Sequence, residues 1–120
     1  MTNNIRHANE NDIRNWYGRI PATMRAIVME VNGNPKMICG VMHQSDHYMA
    51  FMDMKDDAQQ YPVAIMKASR LAVKEIFSKY HQPILAIESD KHESANRFLK
   101  RMGFNPINKK VMVWEAYLAS

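Results

Sequence analysis

ESDKHESANRFLKRMGF, which spans residues 88–104, is the most informative segment of the chain. Its pattern predicts the end of a buried strand, a short polar turn and a helix that stops at Gly103. One face of this helix is apolar and the opposite face is basic, and Gly103 can adopt the left-handed conformation that ends many helices. The apolar face consists of Ala95, Phe98, Leu99 and Met102. The segment therefore predicts a helix that packs one face against a core.

Length and composition indicate a single domain over residues 1–120. With 120 residues, 47% of them hydrophobic, the chain can bury a two-layer core without disulfide or metal staples. Its single cysteine, Cys39, excludes a disulfide framework and fits a reducing compartment. No apolar run approaches the roughly 20 residues that span a bilayer, and residues 1–20 are polar rather than signal-like. We therefore expect a cytoplasmic protein with no membrane partner.

The charge balance allows an anionic ligand without identifying one. The formal net charge is +4 and the pI is about 9.3, which suits a nucleotide-like cofactor, a nucleic acid or an acidic protein. Basic side chains recur along the second half of the chain, at Lys67, Arg70, Lys74, Lys100, Arg101, Lys109 and Lys110. Such a stripe is either an ordinary solvated face or a surface that attracts phosphates.

A metal site is not predicted. Cys39, His43 and His47 are spaced four residues apart, and on a strand this spacing keeps the first two on one face and places the third beyond a turn. Tetrahedral zinc needs four ligands, or three and a water. Because no second cluster of Cys and His accompanies these residues, we expect a core cysteine with surface histidines.

Hydrophobic periodicity and turn signals predict the remaining elements. Residues 3–17 predict a strand or arm and one short helix, capped by Asn11 or Asp12. An antiparallel meander, a long helix, a central strand and a last strand follow. Their predicted ranges are 24–31, 36–43, 48–54, 62–80, 83–88 and 111–118. The resulting order, (β)α-β-β-β-α-β-α-β, predicts an α+β fold with a mixed, mostly antiparallel central sheet flanked by helices.

Both this order and the segment at residues 88–104 resemble the GNAT N-acetyltransferases. The C-terminal signature of that family runs roughly Asn-x-x-Ala-x-x-x-Tyr-x-x-x-Gly-Phe, and Ala95, Gly103 and Phe104 fall in register with it. His92 stands where the family usually has Asn, and Leu99 where it usually has Tyr. The resemblance implies acetyl-CoA as cofactor and the transfer of an acetyl group to an amine of a small molecule or peptide.

The resemblance also implies where the coenzyme lies. In the family its pyrophosphate binds at Gln/Arg-x-x-Gly-x-Gly/Ala, between the central strand and the long helix, because helix N-termini offer free N–H groups to an anion. Gln59 and Ala64 agree with that motif, whereas Pro62 replaces the first glycine and removes one N–H. The implied cofactor contacts are Met52, Met54, Gln59, Gln60, Tyr61, Val63, Ala64 and His92.

The implied reaction needs a polarised carbonyl, a base and an acid. A backbone N–H of Met52 or Met54 would polarise the thioester carbonyl. Leu99 cannot act as the acid; Tyr61 or Ser89 could replace it, or the thiolate leaves without an acid at some cost in rate. The candidate bases are Glu88 and Asp53, at the ends of the two central strands; a strand-end carboxylate is also commonly just solvated. Catalytic candidates are thus Glu88, Asp53 and Tyr61.

Two alternatives to an enzyme remain open, and each predicts different partners. The stretch 96–100, NRFLK, resembles small proteins of tailed bacteriophages, which implies a catalytically degenerate GNAT-fold phage protein in the host cytoplasm or virion, bound to a virion or host protein. The other alternative is a basic nucleic-acid-binding domain. In addition, the last strand, with Trp114 and Tyr117, could pair with a second copy to form a homodimer.

Overall fold

The computed structural model describes residues 3–87, 99–107 and 111–114. Within these ranges seven strands form one sheet in the order β1-β2-β3-β4-β5-β7-β6. Neighbouring strands are antiparallel except β4 and β5, which are parallel. The mixed, mostly antiparallel sheet that the sequence predicts is therefore confirmed. The elements are β1 Asn3–His7, α1 Glu10–Tyr17, β2 Met24–Val31, β3 Asn34–His43, β4 Tyr48–Met54, α2 Pro62–Glu75, β5 Ile84–Ile87, β6 Phe104–Pro106 and β7 Val111–Trp114.

Helix α1 begins two residues before the caps that the sequence suggested. Asn9 is the cap, and its side-chain oxygen accepts a hydrogen bond of 3.0 Å from the Asp12 N–H. The Asp12 carboxylate accepts one of 2.8 Å from the Asn9 N–H in return, so Asp12 completes a capping box from inside the helix. The predicted cap at Asn11 or Asp12 is wrong because that reciprocal pair was not recognised. Gly18 ends the helix in the left-handed conformation, with φ 80°.

The hairpin between β2 and β3 has the tightest common turn. Val31 pairs with Asn34, so the loop is two residues, and both Asn32 and Gly33 have positive φ, 52° and 81°. This is the conformation that Asn-Gly favours, because its twist matches that of the flanking strands. The turn is confirmed, and β3 starts two residues earlier than predicted.

Helix α2 is shorter than the predicted range 62–80. Its α-helical part ends at Glu75, and a 3₁₀ turn at Phe77–Lys79 follows. Ile76, Phe77 and Tyr80 are all buried, and tightening the last turn directs their side chains into the core. Pro62 occupies the first helical turn, as predicted.

Two helices cover opposite faces of the sheet. Ile13 of α1 packs with Ala26 and Ile38, and Trp16, Tyr17 and Phe51 join them. The larger core lies under α2 on the other face, where Ala64, Ala68 and Ala72 meet the central strands. Strands covered on both faces read as continuous apolar runs, which is why β2 and β3 show no alternation. The larger core's fully buried residues include Ile27, Met29, Met37, Val41, Ile76, Ile84 and Met112.

The last strand is not a sheet edge over its described residues. Val111–Trp114 lies between β5 and β6 and pairs antiparallel with both, so its backbone groups on both sides are used. The expected pairing with a second copy at this strand is therefore wrong over Val111–Trp114; Tyr117 lies outside the described residues. The sequence missed β6, a three-residue strand that contains Pro106 at an outer edge, where proline is tolerated.

The end of the C-terminal helix agrees with its prediction. Residues 99–101 are helical, and Gly103 has φ 100° with its N–H donating to the Lys100 carbonyl at 3.1 Å. An added Cβ at Gly103 would lie 3.1 Å from Trp114 Nε1. Glycine suits this position for two reasons: it tolerates the positive φ, and it leaves room for the indole of Trp114.

Candidate functional site

Strands β4 and β5 part after two pairs of residues. Tyr48 pairs with Ile84 and Met49 with Leu85, and in the described ranges the next residues of the two strands form no further pair. Strand β5 nevertheless remains paired with β7 through Ile87. A wedge-shaped gap therefore opens between two parallel strands in the middle of the sheet. Such a gap exposes backbone groups that a continuous sheet would use.

The backbone of β4 directs donors into this gap. The Lys55 N–H donates to the Lys36 carbonyl at 2.9 Å, and Met54 is paired with Met37 in an unbroken antiparallel register. Because alternate N–H groups of a strand point to opposite sides in the sheet plane, those of Met52 and Met54 point away from β3 and toward the gap. The expectation that these two residues act through their backbone requires this orientation and stays a prediction. Their side chains pack on the core under α2.

The start of α2 lies at the same end of β4. A 3₁₀ turn at Asp56–Gln60 connects them directly, and Tyr61 precedes the helix. The Ile65 N–H donates to the Tyr61 carbonyl at 3.0 Å, so the helix supplies no acceptor to the N–H groups of Val63 and Ala64. Pro62 has no N–H to offer. The helix start therefore presents two donors in place of three.

Of the two acidic residues that precede this helix start, Asp56 and Asp57, the second is paired with a cation. Asp57 forms an ion pair with Lys36, with Nζ to Oδ2 at 2.7 Å. That hydrogen bond lowers the pKa of Asp57, so the carboxylate is charged and locally neutralised by the ammonium. Gln59 and Gln60 are exposed beside it. These glutamines, Tyr61, Val63 and Ala64 follow the end of β4 in the chain, and Val63 and Ala64 line a cavity with Asn3 and Ile5 of β1.

Asp53 lies on the opposite face of the sheet, under α1. The phenol of Tyr17 donates a hydrogen bond to Asp53 Oδ2. Burial, followed by the contact with Asp53, raises the pKa of Tyr17 well above its ordinary value, so the phenol remains a donor. Next to this pair, Lys55 Nζ lies 4.4 Å from the centroid of the Trp16 ring. Asp53 itself is exposed and accessible to a ligand.

Sequence reasoning missed Tyr17 and Trp16 as members of this site. Neither residue was a candidate site residue, because nothing in the sequence states which sheet residues a short helix will cover. Their position at the last turn of the helix, just before Gly18, was the available signal. A helix end that carries two large aromatics commonly reaches an interface or a cleft.

Only some of the remaining catalytic candidates lie within the residues that the structure describes. Tyr61 is half-buried and packs on the core at the start of α2, and Leu99 is half-buried in the same core. Leu99 therefore fills space, and Tyr61 is the phenol on the α2 side. Glu88, Ser89 and His92 lie outside the described residues, as do Asn96, Arg97 and Phe98 of the phage-like stretch.

Three other features of the described residues are less suited to catalysis or ligand binding. A cavity of about 250 Å³ at the start of α2 is lined by Asn3, Ile5, Val63, Ala64 and Lys67; it adjoins β1, which β2 and β3 separate from β4. Burial raises the pKa of Cys39 to about 12, so its thiol is not a nucleophile. Over the described ranges no group of three metal-ligating side chains occurs, and no helix there is long and apolar enough to cross a membrane.

Comparison with known proteins identifies the fold. No protein-family model and no curated protein sequence matches the chain. Among solved structures, the ribosomal-protein-S18-alanine N-acetyltransferase from Escherichia coli is similar, with a TM-score of 0.68 at 12% identity over 94% of this chain and 93% of that one. An acetyltransferase of the GNAT family from Staphylococcus aureus has a TM-score of 0.63 at 12% identity, covering 94% and 98%. Ard1 from Thermoplasma volcanium has 0.54 at 11%, covering 94% and 95%.

These likenesses extend over nearly the whole length of each partner chain, so the shared architecture is that of the complete domain. They agree with the mixed, mostly antiparallel seven-stranded sheet flanked by helices. The chain has the fold of the GNAT acetyltransferases.

Proposed function

We propose that the protein is an acetyl-CoA-dependent N-acetyltransferase. The observation that carries this proposal is the gap between β4 and β5, into which the N–H groups of Met52 and Met54 point. A protein of this fold without catalytic activity would gain backbone hydrogen bonds by closing the gap. The open gap therefore favours an enzyme. The fold shared with acetyltransferases supports the same proposal.

The chain offers a fitting set of groups for the coenzyme. The N–H groups of Met52 and Met54 are suited to the thioester carbonyl, whose oxygen gains negative charge during attack. The N–H groups of Val63 and Ala64 are suited to the pyrophosphate, which the positive end of the helix dipole also favours. Gln59, whose exposed amide lies just before the helix, is available to the same phosphates. Acetyl-CoA supplies the activated acetyl group, and these contacts orient it.

The proton transfers are assigned to opposite faces of the sheet. Asp53, exposed on the α1 face, accepts a proton from the incoming ammonium, either directly or through water. Tyr61, on the α2 face at the helix start, is the phenol available to protonate the leaving thiolate. This division leaves the amine to approach from the α1 side. Glu88 stays a candidate base that the described residues do not test.

Calorimetric titration with acetyl-CoA tests the proposal. We expect micromolar binding by the wild type and tighter binding by Pro62→Gly, because the glycine restores one N–H at the anion site. One added hydrogen bond to a charged group, about 1.5–3 kcal/mol, corresponds to roughly tenfold to a hundredfold in Kd. Pro35→Gly, at an exposed position on β3, is the matched control and should leave Kd unchanged.

The outcome separates the enzyme from its alternatives. If neither the wild type nor Pro62→Gly binds acetyl-CoA at millimolar concentration, the acetyltransferase proposal is wrong. A degenerate GNAT-fold binding protein would then be the better interpretation. Binding without release of CoA in the presence of any amine would support the coenzyme site and contradict the transfer reaction.

A further inference from the structure

Four side chains on the α1 face form a second cluster beside the proposed reaction centre. Trp16 and Tyr17 come from the last turn of α1, and Asp53 and Lys55 from the end of β4. Residues two apart on a strand point to the same side, so Asp53 and Lys55 both face α1. The contacts confirm this, since Tyr17 donates to Asp53 and Lys55 lies over Trp16. We name these four residues the α1-face cluster.

The α1-face cluster has two neighbouring places for positive charge. Tyr17 engages Oδ2 of Asp53, and within the described ranges no residue is bonded to Oδ1, so an exposed carboxylate oxygen is available to an ammonium. The Trp16 ring is the second place, and the structure shows it holding an ammonium, because Lys55 Nζ is 4.4 Å from its centroid. An indole face is the strongest aromatic partner for a cation.

We propose that the acceptor is a primary amine that carries a second positive group. This inference rests on the acetyltransferase function proposed above and names its acceptor class. The reacting ammonium binds Asp53, and the second cation takes the place of Lys55 over Trp16. Residues two apart on a strand are roughly 6–7 Å apart, so the two charges of the acceptor are separated by a short chain. Free diamines and peptides whose first residues are basic share this chemistry.

The reaction of such an acceptor is balanced by groups already assigned. The ammonium transfers one proton to Asp53, its nitrogen forms the bond to the acetyl carbon, and the bond from that carbon to sulfur breaks. The nitrogen gives up its second proton as the amide forms, the leaving thiolate takes up one proton, and the second cation of the acceptor is unchanged. Because the chain carries a net charge of +4, its long-range field opposes a dication. Selectivity therefore depends on these contacts.

The Lys55 ammonium and the second cation of the acceptor compete for the same position over the Trp16 ring. Substitution of Lys55 therefore tests the inference. The experiment compares putrescine with butylamine, which has the same carbon chain and one amine, as acceptors in a CoA-release assay. For the wild type we expect kcat/KM to favour putrescine by about tenfold, which corresponds to a single desolvated cation–π contact. Lys55→Gln should raise kcat/KM for putrescine through KM and change butylamine little. Trp16→Leu should reduce the preference to about twofold, the ratio of reactive amines.

A second arm distinguishes the two sources of the same chemistry. The dipeptide amides Ala-Arg and Ala-Leu present the same N-terminal amine with and without a nearby cation. If the ratio of kcat/KM for Ala-Arg over Ala-Leu exceeds the ratio for putrescine over butylamine, the site is assigned to peptides. If the second ratio is larger, the site is assigned to free diamines. Either result supports the inference. A putrescine-to-butylamine ratio of about two, together with equal kcat/KM values for the two dipeptide amides, overturns it.

Other results identify a purely structural role or a failure of the proposed function. If Lys55→Gln lowers the melting temperature and leaves the putrescine-to-butylamine ratio unchanged, the Lys55 contact is structural and the inference is wrong. If acetyl-CoA does not bind at all, calorimetric titration with putrescine still decides, with Trp16→Leu as the control. Saturable putrescine binding that Trp16→Leu abolishes supports the acceptor site even without transfer; no binding overturns it.

Discussion

Over the residues that the structure describes, Met49 and Leu85 are the last partners that β4 and β5 share, although both strands continue beyond them. Strand β5 does not fray at this point, because Ile87 is still paired with Val111 of β7. Strand β4 is equally ordered, since Met54 is paired with Met37 of β3. The gap between them is therefore bounded by two strands that are each held by a different neighbour. This arrangement keeps the gap open without any ligand.

Proline substitutions in β4 test the donors that face the gap. Met52→Pro and Met54→Pro remove N–H groups that do not bond to β3, so we expect the sheet to persist, as proline is tolerated where its nitrogen faces away from a neighbour. Loss of a donor to the developing oxyanion typically lowers kcat by about 10²–10³. The measurement is CoA release at saturating acetyl-CoA, with circular dichroism to verify folding.

The matched control is Phe51→Pro, because the N–H of Phe51 points toward β3 in the same register. This variant should unfold or lose stability strongly. Full activity in both Met52→Pro and Met54→Pro would show that the β4 backbone does not polarise the carbonyl.

Gly40→Ala should destabilise the protein severely. A Cβ at this position would lie 2.0 Å from the Arg25 carbonyl oxygen and 2.7 Å from Ala26 Cα. Both contacts are with backbone, so β2 and β3 would have to separate. We expect a loss of about 3 kcal/mol in the free energy of unfolding, the upper part of the range for overpacked interiors. Urea denaturation measures it.

Gly33→Ala provides the comparison, since its Cβ would meet nothing within 4 Å. Only the positive φ of the turn is unfavourable there, at about 1 kcal/mol. A smaller effect for Gly40→Ala than for Gly33→Ala would contradict the close approach of β2 and β3.

The network around Arg6 should make stability depend on pH in acid. Arg6 donates two hydrogen bonds to Asp12, of 2.7 and 2.9 Å, and one of 3.0 Å to Glu30. The bonds from Arg6 lower the pKa of Asp12. Asp12 therefore contributes stability above its unfolded pKa near 4, and this contribution is lost as pH falls through the folded pKa.

Arg6→Gln should remove that contribution. Because the Arg6 side chain is 37% exposed, solvent screening limits the loss at neutral pH to roughly 1 kcal/mol. The slope of stability below pH 4 should become shallower. Glu10→Gln, which alters only an exposed pair with Arg14 at 3.7 Å, should keep the wild-type slope; an equal change in both variants would contradict the assignment.

In alkaline solution the buried phenols should destabilise the fold. Burial raises the pKa of both Tyr17 and Tyr80. The unfolded chain ionises these phenols near pH 10, whereas the folded chain resists ionisation. Stability is therefore unaffected below about pH 9 and falls as pH rises through 10, by about 1.4 kcal/mol per pH unit for each group until its folded pKa is reached.

Tyr80→Phe separates this effect from packing. The variant loses the hydrogen bond of 2.7 Å with His43 Nε2, which lowers stability at neutral pH by about 1 kcal/mol. Above pH 10 its decline should be shallower than that of the wild type, so the two curves converge. Parallel curves between pH 9 and 11 would show that Tyr80 ionises equally in both states.

The fold could be predicted well from local patterns because its strands and turns have strong signals. The Asn32-Gly33 hairpin, the apolar runs of β2 and β5 and the Gly103 stop each have one dominant physical cause, and all are observed. The failures lie where the outcome depends on neighbours. Strand β6 has only three residues and forms because β7 offers an edge, and the end of α2 is set by burial of Ile76 and Phe77.

The candidate site came from the resemblance to the GNAT acetyltransferases. That resemblance implied Met52, Met54 and the helix start at Pro62, and their roles stay predictions. The pairing of Asp53 with Tyr17 could not be predicted, since it depends on the angle at which α1 crosses the sheet. The ion pair of Lys36 with Asp57 could not be predicted either, because the two residues are 21 apart in the chain and meet only through the fold.

The burial of Cys39 has a practical consequence for all of these experiments. The only thiol of the chain is 3% exposed and protonated at neutral pH, so a thiol-reactive dye should detect released coenzyme without a background from the folded protein. Because Cys39 lies on the central strand β3, its labelling would require the sheet itself to open. The rate at which the dye labels Cys39 in the absence of substrate therefore reports how often the sheet opens, and the same assay measures it.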